Sequence, residues 1–83
     1  MMIDTKKFEE LCSERTELDA EVKVLTQIGK FIYPNIDRCR SEMNFYDLAV
    51  WQRQWREVSD RIAAIDERHR AIMYELDKMK EEA

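Results

Sequence analysis

The chain has 83 residues, 45% apolar and 39% charged, enough for one small domain and suited to helices with one wet and one dry face rather than a disordered tail. A single glycine, Gly29, and a single proline, Pro34, are too few for the turns of a strand-rich fold. The net charge of −4 disfavours nucleic-acid binding, no apolar run reaches the roughly 20 residues of a membrane span, and the opening Met1-Met2-Ile3-Asp4 carries no signal-peptide core.

The first predicted helix runs over about residues 4–32, with Asp4 or Thr5 as its cap. Phe8, Leu11, Leu18, Val22, Leu25 and Ile32 recur at steps of three, four and seven, a heptad stripe in which Arg15 and Gly29 also fall. Pro34 is expected to end this helix, because the residue before a proline avoids helical angles. Residues 33–43 then form a turn or a short helix. The second long helix, about 44–81, is the clearest signal in the chain. Leu48, Trp51, Trp55, Val58, Ile62, Ile65, His69, Ile72, Leu76 and Met79 alternate by three and four without a skip.

The two stripes predict an all-α fold, an antiparallel hairpin or coiled coil of two long helices with a short connection, completed by self-association. Centring the turn between Ile36 and Asp37 sets Leu25 by Leu48, Val22 by Trp51, Leu18 by Trp55, Leu11 by Ile62 and Phe8 by Ile65. In that register Gly29 meets Asn44, Asp4 meets His69, Glu14 approaches Arg61, Glu21 faces Gln54, and Lys7 lies in mild conflict with Arg68. Residues from about Tyr74 onward have no partner in the first helix, so Ile72, Leu76 and Met79 become candidate self-association residues. Each apolar side chain fully buried there would contribute roughly 1.5–3 kcal/mol.

The chain offers little for catalysis. There is no Gly-rich phosphate loop, no C-x-x-C and no H-E-x-x-H. His69 follows Asp66 by three residues, but the second acid–histidine pair of a helix-bundle metal site is missing, and a histidine bonded to Asp4 or Asp66 at the edge of the core accounts for it. Cys12 and Cys39 read as reduced, half-buried thiols of a cytoplasmic protein. Trp51 and Trp55, with Tyr46, Arg53 and Arg56 nearby, resemble a base-stacking platform in composition. Both tryptophans nevertheless fall on the core stripe, and Asp47, Glu57 and Asp60 offset the arginines. No enzyme, cofactor or metal is expected.

Two surfaces remain for a protein partner. Glu10, Glu14, Glu17 and Glu21 step along one face of the first helix, within a Glu9–Glu21 stretch of six acids and one base. Val24, Ile28 and Phe31, with Met43, Tyr46 and Val50, lie off the main stripes near the turn; a fold-back of 35–43, a second copy or a foreign partner would cover them. The function expected is a non-enzymatic protein–protein interaction module: a small, dimeric helical adaptor or an assembly or chaperone-like factor. The competing expectation is a small acidic inhibitor of a larger complex, such as a phage-encoded blocker of a host defence machine of the anti-CRISPR type.

Overall fold

A computed structural model describes residues 4–82; Met1, Met2 and Ile3, on which the reading of the chain's opening rests, lie outside them. The protein is an antiparallel hairpin of two helices, α1 (Thr5–Ser41) and α2 (Phe45–Glu82), packed along their length into a rod of 64 × 15 × 13 Å. Asp4 caps α1: its carboxylate oxygen Oδ1 accepts a hydrogen bond of 3.1 Å from the Lys7 amide, one of the donors a helix start leaves orphaned.

The expected end of the first helix at residue 32 is corrected. α1 continues through Pro34 for almost two further turns. Proline removes one amide donor and crowds the carbonyl four residues back, here that of Lys30. Lys30 and Pro34 both lie on the exposed face of the hairpin, where water reaches that carbonyl. The next carbonyl, of Phe31, accepts 2.8 Å from the Asn35 side-chain amide. Ile32, Ile36 and Cys39, on the opposite face of the same turns, are 1%, 5% and 1% exposed. The burial gained on one face offsets the bond lost on the other, so the 35–43 segment is neither a loop nor a fold-back.

The reversal takes place at Glu42-Met43-Asn44. The Met43 amide donates to Arg40 O at 3.2 Å and the Asn44 amide to Cys39 O at 2.9 Å, closing the last turn of α1 in a Schellman pattern. That motif needs a left-handed residue, and Met43 supplies it at φ 56°. Asn44 then caps α2. Its Oδ1 accepts from the Asp47 amide at 3.2 Å, while its Nδ2 donates to the Asp47 carboxylate at 2.8 Å. The two residues bracket the first turn as a capping box does.

Moving the turn changes the register. Arg61 pairs with Glu21, not Glu14, and Arg68 pairs with Glu14 instead of crowding Lys7; the flanking pairs are displaced by one heptad. Leu11 packs with Ile72 and Leu76, not Ile62, and Leu18 joins that cluster rather than meeting Trp55. Leu25 joins Ile32, Ile36 and Val58, with Leu48 at the same cluster's edge. Gly29 meets Trp55, not Asn44. A Cβ there would lie 3.0 Å from the indole Cζ3, so the missing side chain is what lets the ring rest on the backbone of α1. His69 faces Asp19 at 3.8 Å instead of Asp4 or Asp66. Arg15, a charge within the apolar stripe, extends so that its guanidinium Nη1 lies 3.5 Å from the Met73 sulfur.

The overhang also disappears. Ile72 is fully buried and Leu76 only 5% exposed, both within one chain, and Met79 packs against their cluster. Their assignment as self-association residues therefore loses its basis. α1, extended past the proline and paired one heptad further along, covers them.

The turn carries a strain that one substitution should relieve. A left-handed non-glycine residue costs about 1–2 kcal/mol, partly returned by glycine's greater freedom in the unfolded chain. Met43 is 71% exposed, so its side chain contributes little packing. Met43→Gly is expected to raise stability by about 0.5–1 kcal/mol, read as a higher thermal midpoint in circular dichroism. A lower midpoint would mean that the Met43 side chain matters more than its backbone.

Candidate interaction surface

The hairpin divides into two halves of different chemistry. In the half away from the turn, one flank of the helix pair carries a ladder of ion pairs. Lys7 Nζ lies 2.9 Å from Glu75. Arg68 grips Glu14 through Nε and Nη2, the latter at 2.8 Å, and Arg61 grips Glu21 likewise, with Nη2 at 2.9 Å. The fork of each arginine matches the carboxylate, so both bonds form without distortion. The hydrogen bond from Arg68 holds the Glu14 carboxyl below its ordinary value of 4.5, and Arg61 does the same to Glu21. Lys7 lowers Glu75 in the same way and is itself raised by it.

These pairs correct the acidic face expected from the sequence. Glu14 and Glu21 belong to the hairpin's own closure. Glu10 and Glu17 are exposed and take part in no ion pair among the described residues. The continuous stripe of four carboxylates is thus reduced to two, a heptad apart.

Lys7, Glu14 and Glu21 recur every seven residues, and the next position on that line is Ile28, with Gln54 next along α2. The ladder gives way to apolar surface at this point. Beside Ile28 lie Val24 and Phe31, and Val50 faces the same flank from α2. They are 59%, 42%, 66% and 42% exposed for Val24, Ile28, Phe31 and Val50 respectively. The Phe31 ring meets Trp51 edge-on with centroids 5.8 Å apart, so it is held in place while still presenting a face to solvent. Met43 stands in the turn itself, and Tyr46, 81% exposed, points outward from the first turn of α2.

The opposite flank holds a feature the sequence reading did not single out. Gly29 leaves a dip in α1, and Leu25, Thr26, Tyr33, Trp55 and Val58 surround it as a shallow groove of about 280 Å³. Trp55 is 38% exposed rather than core, and Tyr33 packs on it edge-on at 5.8 Å. Phe45 adds a further exposed ring, at 66%. The signal was present in the one glycine within an otherwise unbroken apolar stripe. A glycine there removes a core side chain and leaves a large residue across the pair free to lean outward.

Cys39 is buried and Cys12 half-buried, both with free thiols. They lie on one helix at a separation of about 40 Å, far beyond disulfide reach. Among the described residues no group of three or more His, Cys, Asp or Glu side chains is placed to hold a metal ion, and no helix is long and apolar enough to cross a membrane. In comparison with known proteins the chain matches no family model, no curated protein and no solved structure.

The ion ladder predicts an acid limb of stability. Because the folded-state carboxyl values of Glu14, Glu21 and Glu75 are depressed, their contribution is present above 4.5 and is lost as the pH falls through and below it. Urea midpoints measured between about pH 6 and about pH 3 should hold steady and then decline. In the Glu14→Gln/Glu21→Gln variant the decline should be shallower, with the two curves converging at acid pH. Parallel curves would mean that the pairs add nothing in solution, as holds for many exposed ion pairs.

Proposed function

We propose that the protein is a non-enzymatic interaction module that docks other proteins through the turn-proximal half of its hairpin, as an adaptor or assembly factor does. One observation carries this reading. Among the described residues, eleven large apolar side chains are exposed; nine lie between Val24 and Trp55, and only Phe8 and Tyr74 lie outside that span. A rod of this composition has ample charge to cover its surface, and the distal half does so. Concentrating exposed aromatic and aliphatic side chains at one end is the pattern of a binding surface rather than of scattered surface apolarity. The residue types fit as well, since Tyr, Trp, Phe and Met are those enriched where proteins meet. The two free thiols suit a reducing compartment such as the cytoplasm.

The alternative of a small acidic inhibitor has weaker support. Its main ground was a four-carboxylate stripe, and two of those carboxylates are bound to arginines of the second helix.

Photo-crosslinking separates the two ends. A benzophenone amino acid replacing Tyr46 or Phe45, in the full chain within its native cells, should give a discrete adduct with another protein. The same group at Tyr74 should give none. An adduct from Tyr74 alone, or equal labelling at both ends, would overturn the assignment of the docking end.

A further inference from the structure

The exposed line beside the ion ladder on α1 is self-complementary. Glu17, Val24, Phe31 and Arg38 follow one another at heptad spacing, acid first, two apolar residues between, base last. All four are exposed, and neither Glu17 nor Arg38 takes part in an ion pair among the described residues. Reversed and laid against itself, this line sets Glu17 against Arg38, Val24 against Phe31, Phe31 against Val24 and Arg38 against Glu17. Ile28, on the adjoining line, falls at the centre of the overlap and meets its own counterpart.

From this juxtaposition we infer that the α1 face of Val24, Ile28 and Phe31 is a homodimer interface, on which a second copy packs antiparallel with a two-fold axis at Ile28 and Glu17–Arg38 pairs closing both ends. An isologous contact must satisfy itself under the two-fold operation, and this order of residues does so for charge and apolarity together. A foreign partner would have no need for the acid and the base to stand equidistant from one central isoleucine. The contact joins two hairpins into a four-helix arrangement, the usual remedy for a small helical core. It deepens the reading of the turn-proximal half as a binding surface, on which it rests. It also divides that half: the α1 flank goes to the second copy, and the Gly29 groove with Phe45, Tyr46 and Trp55 stays open to a different protein.

Charge reversal tests the arrangement with the full-length chain, by sedimentation equilibrium at micromolar concentration. Wild type should have the mass of two chains. Glu17→Arg and Arg38→Glu each place like charges at both ends of the interface, and each should raise the dimer dissociation constant about tenfold. The combined Glu17→Arg/Arg38→Glu variant restores opposite charges and should recover the wild-type constant. Ile28→Asp puts two carboxylates on the axis and should leave only monomer, with helicity unchanged because the side chain is 42% exposed in the hairpin. A monomeric wild type, or a dimer indifferent to both single reversals, or a double variant no better than the singles, would overturn the inference. Photo-crosslinking at Tyr46 in the Ile28→Asp background keeps the two readings apart. A surviving adduct with the partner upholds the docking end whatever the fate of the dimer.

Discussion

The arrangement of this hairpin depends on α1 staying helical across Pro34. A proline inside a helix costs one hydrogen bond and a steric clash, together about 3 kcal/mol in an ordinary helix interior. Here the cost falls on the solvent face, where the Lys30 carbonyl is open to water and Asn35 supplies a donor to Phe31 O. The opposite face of the same turns carries Ile32, Ile36 and Cys39, three of the most deeply buried side chains in the protein. Breaking the helix at the proline would unpack all three. Because it does not break, the turn moves to Glu42–Asn44, the partner helix slides by a heptad, and both ends of the rod change character.

The slide explains how the distal half closes on itself. At the register centred on Ile36 and Asp37, Lys7 meets Arg68 and Glu21 meets a neutral glutamine. One heptad further along, the three rungs Lys7–Glu75, Glu14–Arg68 and Glu21–Arg61 all carry opposite charges. Each exposed pair is worth little by itself. Their collective effect is selective, since apolar stripes at heptad spacing pack almost equally well after a shift of seven residues, whereas the charges do not. The same slide brings Leu76 onto Leu11, so the C-terminal end of α2 is covered from within.

The helical class, the antiparallel pairing, the cap at Asp4 and the start of α2 beside Asn44 were legible because each rests on local chemistry or short periodicity. The register was not. Periodicity defines it only to within a multiple of seven, and Pro34 was read as a stop although helical phase places it on the wet face. Two local signals pointed the other way. Asn44-x-x-Asp47 marks a helix start immediately after Met43, and the charges of Lys7, Glu14 and Glu21 find complementary partners at one register and not its neighbour. The apolar end was legible as a set, in Val24, Ile28, Phe31, Met43, Tyr46 and Val50. The groove beside it was not, since it arises from what Gly29 lacks and from Trp55 leaning over the gap.

The register is the claim on which the rest stands, and site-directed crosslinking within one chain tests it directly. With Cys12 and Cys39 replaced by alanine, a short bifunctional thiol reagent should join Glu21→Cys to Arg61→Cys rapidly and intramolecularly. It should leave Leu25→Cys with Leu48→Cys largely unjoined, since those positions lie apart once the turn is at Glu42–Asn44. Efficient closure of the Leu25–Leu48 pair together with failure of the Glu21–Arg61 pair would place the turn back at the proline and contradict the account.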